Sequence, residues 1–386
     1  MKNVLRLLFF AALVMVFALP SYAQDAAAAQ TPAAAGPCGE AEAKAALYGK
    51  FRENFNKDAN LQKVAYDAGK EYLGKYGACT DPADLTIIKY IQNWVNKYEE
   101  ATLVFNCQKA ANETPAQAFE ACKAWIAAKP DDLRPHLALV GAGIKAYTNK
   151  DNSLNARAAA EARTALQMIE SGKTTDTWAP FTNQQDAPGG LRYYIAAWSL
   201  ESNPEESATQ LLKIAQSGGG VAKEPATFQL LGASVYNGDV KKMADQYKAQ
   251  CENKDASHEC DVLLNKINYA LDRVIDAYAR AIALSNANPK YAATATALRP
   301  VLTTLYKQRH EGQETGLNEM IGSVLSKPLP LPGQEPPLPT PAASASDGTG
   351  AAVTPTTTTP AGGATAKPAA TPTPKPTPAA QKPPRS

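Results

Sequence analysis

FQLLGASVYNGDVKKMADQYKAQ, residues 228–250, reads as two short helices about a Gly238-Asp239 turn. Leu231 and Tyr236 lie in the helix before the turn, and Met243 and Tyr247 in the helix after it. Gly232 is a small residue where a neighbouring helix could pass closely. The same alternation extends in both directions. Leu191–Ala215 carries Trp198, an Asn203-Pro204 turn and a Leu211-Leu212-Ile214 face. Thr114-Pro115 opens a helix carrying Phe119, Cys122, Trp125 and Ile126, and Pro130 ends it. Tyr278, Ala281 and Leu284 precede Asn288-Pro289, although residues 258–285 also fit one long helix.

Further upstream, Leu47, Phe51 and Phe55 recur at helical spacing, and so do Leu61, Val64, Ala65, Ala68, Tyr72 and Tyr76. Asp58 is placed to cap the second of these helices. Asp81-Pro82 opens a third, with Leu85, Ile88, Ile91, Val95 and Tyr98 as its expected buried stripe. The alanine-rich run Ala156–Leu166 favours helix by propensity. Residues 171–190, SGKTTDTWAPFTNQQDAPGG, are too polar and too rich in Pro and Gly for helix. Period-2 alternation is not sustained anywhere, so a sheet has no support.

Residues 228–250, 191–215, 118–130 and 278–289 together resemble tetratricopeptide repeats over about half of residues 115–300. The implied fold is all-α, an irregular tetratricopeptide-like (TPR-like) α-solenoid of antiparallel helical hairpins. Gly and Ala landmarks are missing in several units, and a non-repeating all-α array remains the alternative. The resemblance implies a concave groove that holds peptides or partner proteins. Its expected lining includes Arg192, Tyr193, Tyr236 and Asn237.

The chain has six cysteines, an even number that suits an oxidising compartment. Six cysteines allow 15 full pairings. Cys107 and Cys122 flank the turn at 112–115, Cys251 and Cys260 flank 254–257, and Cys38 and Cys79 bracket Lys57-Asp58. Residues equidistant from the turn of a helical hairpin face one another, which favours Cys38–Cys79, Cys107–Cys122 and Cys251–Cys260. Free thiols or a metal site are the alternatives. However, no CxxC occurs, and His136, His258 and His310 do not cluster with the cysteines at zinc spacing.

The termini indicate export. Lys2 and Arg6 precede an apolar run from Leu7 to Leu19, and Pro20 and Ser21-Tyr22-Ala23 follow it, as expected of a signal peptide over 1–23. With no cysteine near that site, a lipoprotein anchor is not expected. An alanine-rich linker follows over 24–37, then a helical domain over 38–327. Of the 29 prolines, 16 fall within residues 328–386, which contain no Phe, Tyr or Trp. Such a tail cannot offset its ordering entropy and is expected to be disordered and polyproline II-like, a reach toward cell-wall polymers. Residues 24–327 carry 33 basic and 35 acidic side chains, which removes the electrostatic basis for nucleic-acid binding. No stretch of the mature chain is long and apolar enough for a transmembrane segment.

Catalytic patterns are sparse. Leu137–Ala146, LALVGAGIKA, resembles a GxGxxA dinucleotide turn with Glu161 near the acidic position, but no βαβ context surrounds it. Helix packing through Gly141 and Gly143 explains the same residues. Gly218-Gly219-Gly220 reads as a helix end. HExxH, GxSxG and a P-loop lysine do not occur. Trp94, Trp125 and Trp198 lie on apolar stripes and are expected in the core. Trp178, beside Pro180 and Phe181, is either a functional aromatic or a plug over the groove. The expectation is a non-enzymatic interaction scaffold of the periplasm or cell envelope, without cofactor or metal, binding a protein or peptide. An envelope enzyme or glycan-binding protein with a site around residues 171–190 is the alternative.

Overall fold

Capping chemistry sets the helix boundaries in a computed structural model of the chain, which describes residues 36–254 and 257–338. The expected signal peptide, most of the linker and the tail beyond Leu338 lie outside the described residues. Contacts group the chain into two units, divided between Tyr98 and Glu99.

In the first unit, α1 (Ala41–Asn54) turns into α2 (Ala59–Tyr76). The Asp58 carboxylate starts α2 by accepting from the amides of Asn60 and Leu61 at 3.0 and 3.1 Å. Asp81 likewise accepts from the Ala83 amide as α3 (Pro82–Glu113) begins. Phe51, Ala65, Ala68, Tyr72, Ile91 and Val95 form the core of this unit. Leu85, expected on the buried stripe of α3, is instead 49% exposed, because Ile91 and Val95 set the face that packs against Gly69. Cys38 and Cys79 are disulfide-bonded across the open end of the α1–α2 hairpin.

The second unit contains the rest of α3, then α4 (Pro115–Ala121), α5 (Lys123–Ala128), α6 (Leu133–Thr148) and α7 (Asn155–Glu170). There follow α8 (Ala187–Ser199), α9 (Pro204–Ser217), α10 (Pro225–Val235) and α11 (Lys241–Gln250). The long α12 (His258–Asn286), α13 (Ala292–Arg309) and α14 (Leu317–Ser323) complete it. From α6 to α10 each helix packs on the next, α10 packs on α12, and α12 on α13. Disulfides Cys107–Cys122 and Cys251–Cys260 complete the sequential pairing expected from hairpin symmetry. No strand occurs among the described residues.

Three local expectations are corrected. Gly238-Asp239 is not a turn between two helices. Residues 236–240 form a π-helical segment that runs α10 directly into α11. Gly238 sits there against the Glu205 backbone nitrogen and Pro204, and Asp239 reaches Arg273 at 2.7 Å, contacts that a separating turn would break. Next, the non-helical stretch ends at Asp186 rather than Gly190. Gly189 and Gly190 are helical because their missing side chains admit Val221 and the Phe181 ring. Finally, the proline-rich stretch expected to be free from Pro328 onward is hydrogen-bonded to α12 as far as Pro336.

Gly141 and Gly143 lie inside α6, where Gly143 lets α7 and Trp198 approach. A Cβ at Gly143 would stand 2.3 Å from the Ala158 Cβ and 3.2 Å from the Trp198 ring. Helix propensity favours Ala over Gly by only about 1 kcal/mol, and overpacking costs ~1–3 kcal/mol or more. Gly143→Ala is therefore expected to lower the melting temperature. Gly49→Ala in α1, with no atom within 4 Å of the new methyl, should raise it. Thermal circular dichroism of both variants checks the signs.

Loop-closure entropy ranks the disulfides. Cys38–Cys79 spans 41 residues and Cys251–Cys260 spans 9. Replacing each pair by serine should cost about 4 and about 2.5 kcal/mol respectively, read from denaturant unfolding midpoints.

Candidate functional site

The four residues expected to line a groove, and Trp178 of the 171–190 loop, have different environments. Tyr193 is 5% exposed and its hydroxyl has no partner, and burial pushes its phenol well above the ordinary range. Tyr236 lies buried in the π segment and its phenol is raised by the same cause. Arg192 is held between helices, donating to Gln210 Oε1 on α9 at 2.8 Å and to Glu170 on α7. Asn237 is exposed on the π segment. Trp178 is half-buried against the core, and its loop neighbours Pro180 and Phe181 cover Gly141 of α6 and Gly190 of α8. Of the tryptophans expected in the core, Trp125 and Trp198 are buried. Trp94 is half-exposed, stacked on Tyr98 at 5.3 Å.

The structure assembles a different constellation on α12. Two arginines and an aspartate, Arg273, Asp276 and Arg280, are buried on this helix. Buried charges persist only when paired and hydrogen-bonded. Arg273 Nη1 donates to Asp239 Oδ2 at 2.7 Å, a partner that the π segment supplies. Arg280 Nε donates to Asp276 Oδ1 at 2.6 Å, and Nη2 to Oδ2 at 3.3 Å. The same Nη2 also donates to the carbonyl oxygens of Lys327 and Pro328 at 2.9 and 3.0 Å.

Two further donors extend this ladder along the helix. Tyr269 donates its hydroxyl to the Leu331 carbonyl at 2.9 Å, and Asn265 Nδ2 donates to the Pro336 carbonyl at 2.8 Å. Proline has no N–H, so its carbonyl is the main-chain group left to recognise. The helix axis from Asn265 to Arg280 measures about 22 Å, and a polyproline-like strand from Pro328 to Pro336 covers up to about 25 Å. Gly333, at φ +77°, bends the strap, and Leu331 N donates to Gln334 Oε1 across the bend. Leu329, Pro330 and Leu331 are half-buried, while Pro332, Gly333 and Gln334 are exposed.

Burial pushes the Asp276 carboxyl up, and Arg280 offsets only part of the shift. Burial raises Asp272 in the same way, partly offset by Arg309, whose Nη2 donates to it at 3.2 Å. Desolvation likewise raises the Tyr269 phenol. Among the described residues no group of three or more His, Cys, Asp or Glu is placed to hold a metal. Chemically, the α12 face offers neutral and cationic donors in a row, suited to the carbonyls of an extended chain. Sequence reasoning missed Asn265, Tyr269 and Arg280 because a polar residue on a long helix ordinarily faces solvent. The one available signal was the Leu-Pro alternation of residues 328–332, distinct from the Pro-Thr repeats farther on.

Tyr269→Phe removes one hydrogen bond from the strap and keeps the ring. A bond of this kind contributes about 1 kcal/mol, so released strap should become roughly fivefold more populated. Amide hydrogen exchange at Leu331, whose N–H donates to Gln334 Oε1 within the strap, should quicken by that factor, with exchange in residues 171–186 unchanged.

No protein-family model matches the chain, and no curated protein or solved structure matches it significantly.

Proposed function

We propose that this protein is a non-enzymatic interaction scaffold working outside the cytoplasm, whose TPR-like helical array captures peptides or partner proteins. The carrying observation is the α12 strap. A helix face of this chain holds an extended segment through side-chain donors aimed at main-chain carbonyls. Helix-on-next-helix packing from α6 to α10 supports a repeat-like array. Three disulfides fit an oxidising compartment, and no helix among the described residues is long and apolar enough to cross a membrane.

The competing reading, a glycan-directed site around Trp178, has less support. Pro180 and Phe181 of that loop fill the space over two helical glycines. In the scaffold reading, the loop is a plug that closes one side of the array.

Photoreactive amino acids at exposed Asn237 and at Trp178, in the exported full-length chain, distinguish the two. The scaffold reading expects discrete protein cross-links from position 237, with Trp178→Ala leaving retention on insoluble cell-wall glycan unchanged. Glycan turnover by the purified protein that disappears in Trp178→Ala would overturn it.

A further inference from the structure

We propose that the Asn265–Tyr269–Arg280 face of α12 is a binding site for an extended segment of alternating proline and leucine on a partner protein, and that residues 327–336 are its resident competitor. The inference rests on the scaffold reading and adds the ligand class and a means of regulation. Three features of the site carry it.

First, every side-chain hydrogen bond from α12 to the strap ends on a main-chain carbonyl, at Lys327, Pro328, Leu331 and Pro336. Recognition of that kind reads an extended, proline-rich backbone and does not depend on one particular side-chain sequence. The half-burial of Leu329 and Leu331 adds the preference for leucine between prolines.

Second, the face is built to be occupied. Arg280 is buried, and Asp276 receives its Nε and one Nη2 contact, leaving Nη2 directed at the strap carbonyls. A withdrawn strap would hand that donor to water, and any chain that covered the face again would have to supply carbonyls at the same places.

Third, the strap is lightly held. Lys327, Pro328, Pro332, Gly333, Gln334, Pro336 and Pro337 are exposed, as expected of a segment that opens locally well before the body unfolds. Tethering gives the strap an effective concentration in the millimolar range for a short linker. A free peptide of the same chemistry must therefore compete at a large disadvantage, and the site is closed in cis until a longer or better-matched partner segment displaces the strap.

The test uses the full chain and a fluorescent synthetic peptide, KPLPLPGQEPPL, which copies residues 327–338. Leu329→Asp/Leu331→Asp, or the milder Leu329→Ser/Leu331→Ser if the first lowers the melting temperature, weakens the strap and leaves α12 intact. Fluorescence anisotropy should show the peptide binding at least tenfold more tightly to the strap variant than to the wild-type chain. Adding Tyr269→Phe should take back about fivefold, and a peptide with every proline changed to alanine should bind at least tenfold more weakly. A folded strap variant that binds the peptide no better than wild type overturns the inference, and so does indifference to the proline-to-alanine change. A wild-type chain that forms a dimer lost on strap substitution also overturns it, in favour of a second copy as occupant. Cross-links from Asn237 persisting through any of these failures would leave the scaffold reading standing, whereas their absence would remove both.

Discussion

Burial of two arginines on one helix governs much of this structure. Arg273 and Arg280 lie within the same 29-residue helix, each 6% exposed. An unpaired guanidinium there would cost several kcal/mol, so each needs acceptors placed against it. Arg273 takes Asp239, and a π-helical segment carries that carboxylate. Extra-wide turns of this kind interrupt α-helices where a side chain must be re-aimed. Arg280 takes Asp276 from its own helix and two carbonyls from the start of the proline-rich stretch. Two irregular features of the fold, the π segment and the strap, therefore satisfy the same requirement.

Around that helix the packing depends on the absence of side chains. Gly232 of α10 faces the Tyr278 ring so closely that a Cβ would lie 2.5 Å from it, and Gly143 of α6 admits Ala158 and Trp198. Gly190 of α8 admits Phe181 from the loop before it. Close approach buries large aromatic rings with few voids. It also raises the phenols of Tyr194 and Tyr278 to about 12, because the charged form is excluded from so dry a site. Helices therefore meet most closely at glycine, whereas much of the strap is exposed.

Several features were legible from residue order because they depend on local chemistry. Asp58 and Asp81 accept from the first amides of the helices they precede, since a short polar side chain beside free amides has few other arrangements. The three disulfides followed from the symmetry of hairpins about their turns. Gly218 ends α9 in the left-handed conformation that a helix C-terminus favours. Gly238-Asp239 misled for the same local reason. The dipeptide has the chemistry of a turn, yet Glu205 and Arg273, 33 and 34 residues away from their partners in the chain, hold it within a helix.

Sequence alone thus determined the helical class and many boundaries at caps and prolines, set by interactions within a turn or two of the chain, and hairpin symmetry about local turns favoured the cysteine pairing that the fold then made. Tertiary structure alone decided which polar residues of α12 are buried, that the proline-rich stretch is held on α12 as far as Pro336, and that Tyr193 and Tyr236 are buried. Those outcomes depend on which distant segment covers a given helix face. Hydrogen-bond partners such as Tyr269 and Leu331, 62 residues apart, leave no periodic trace in the sequence.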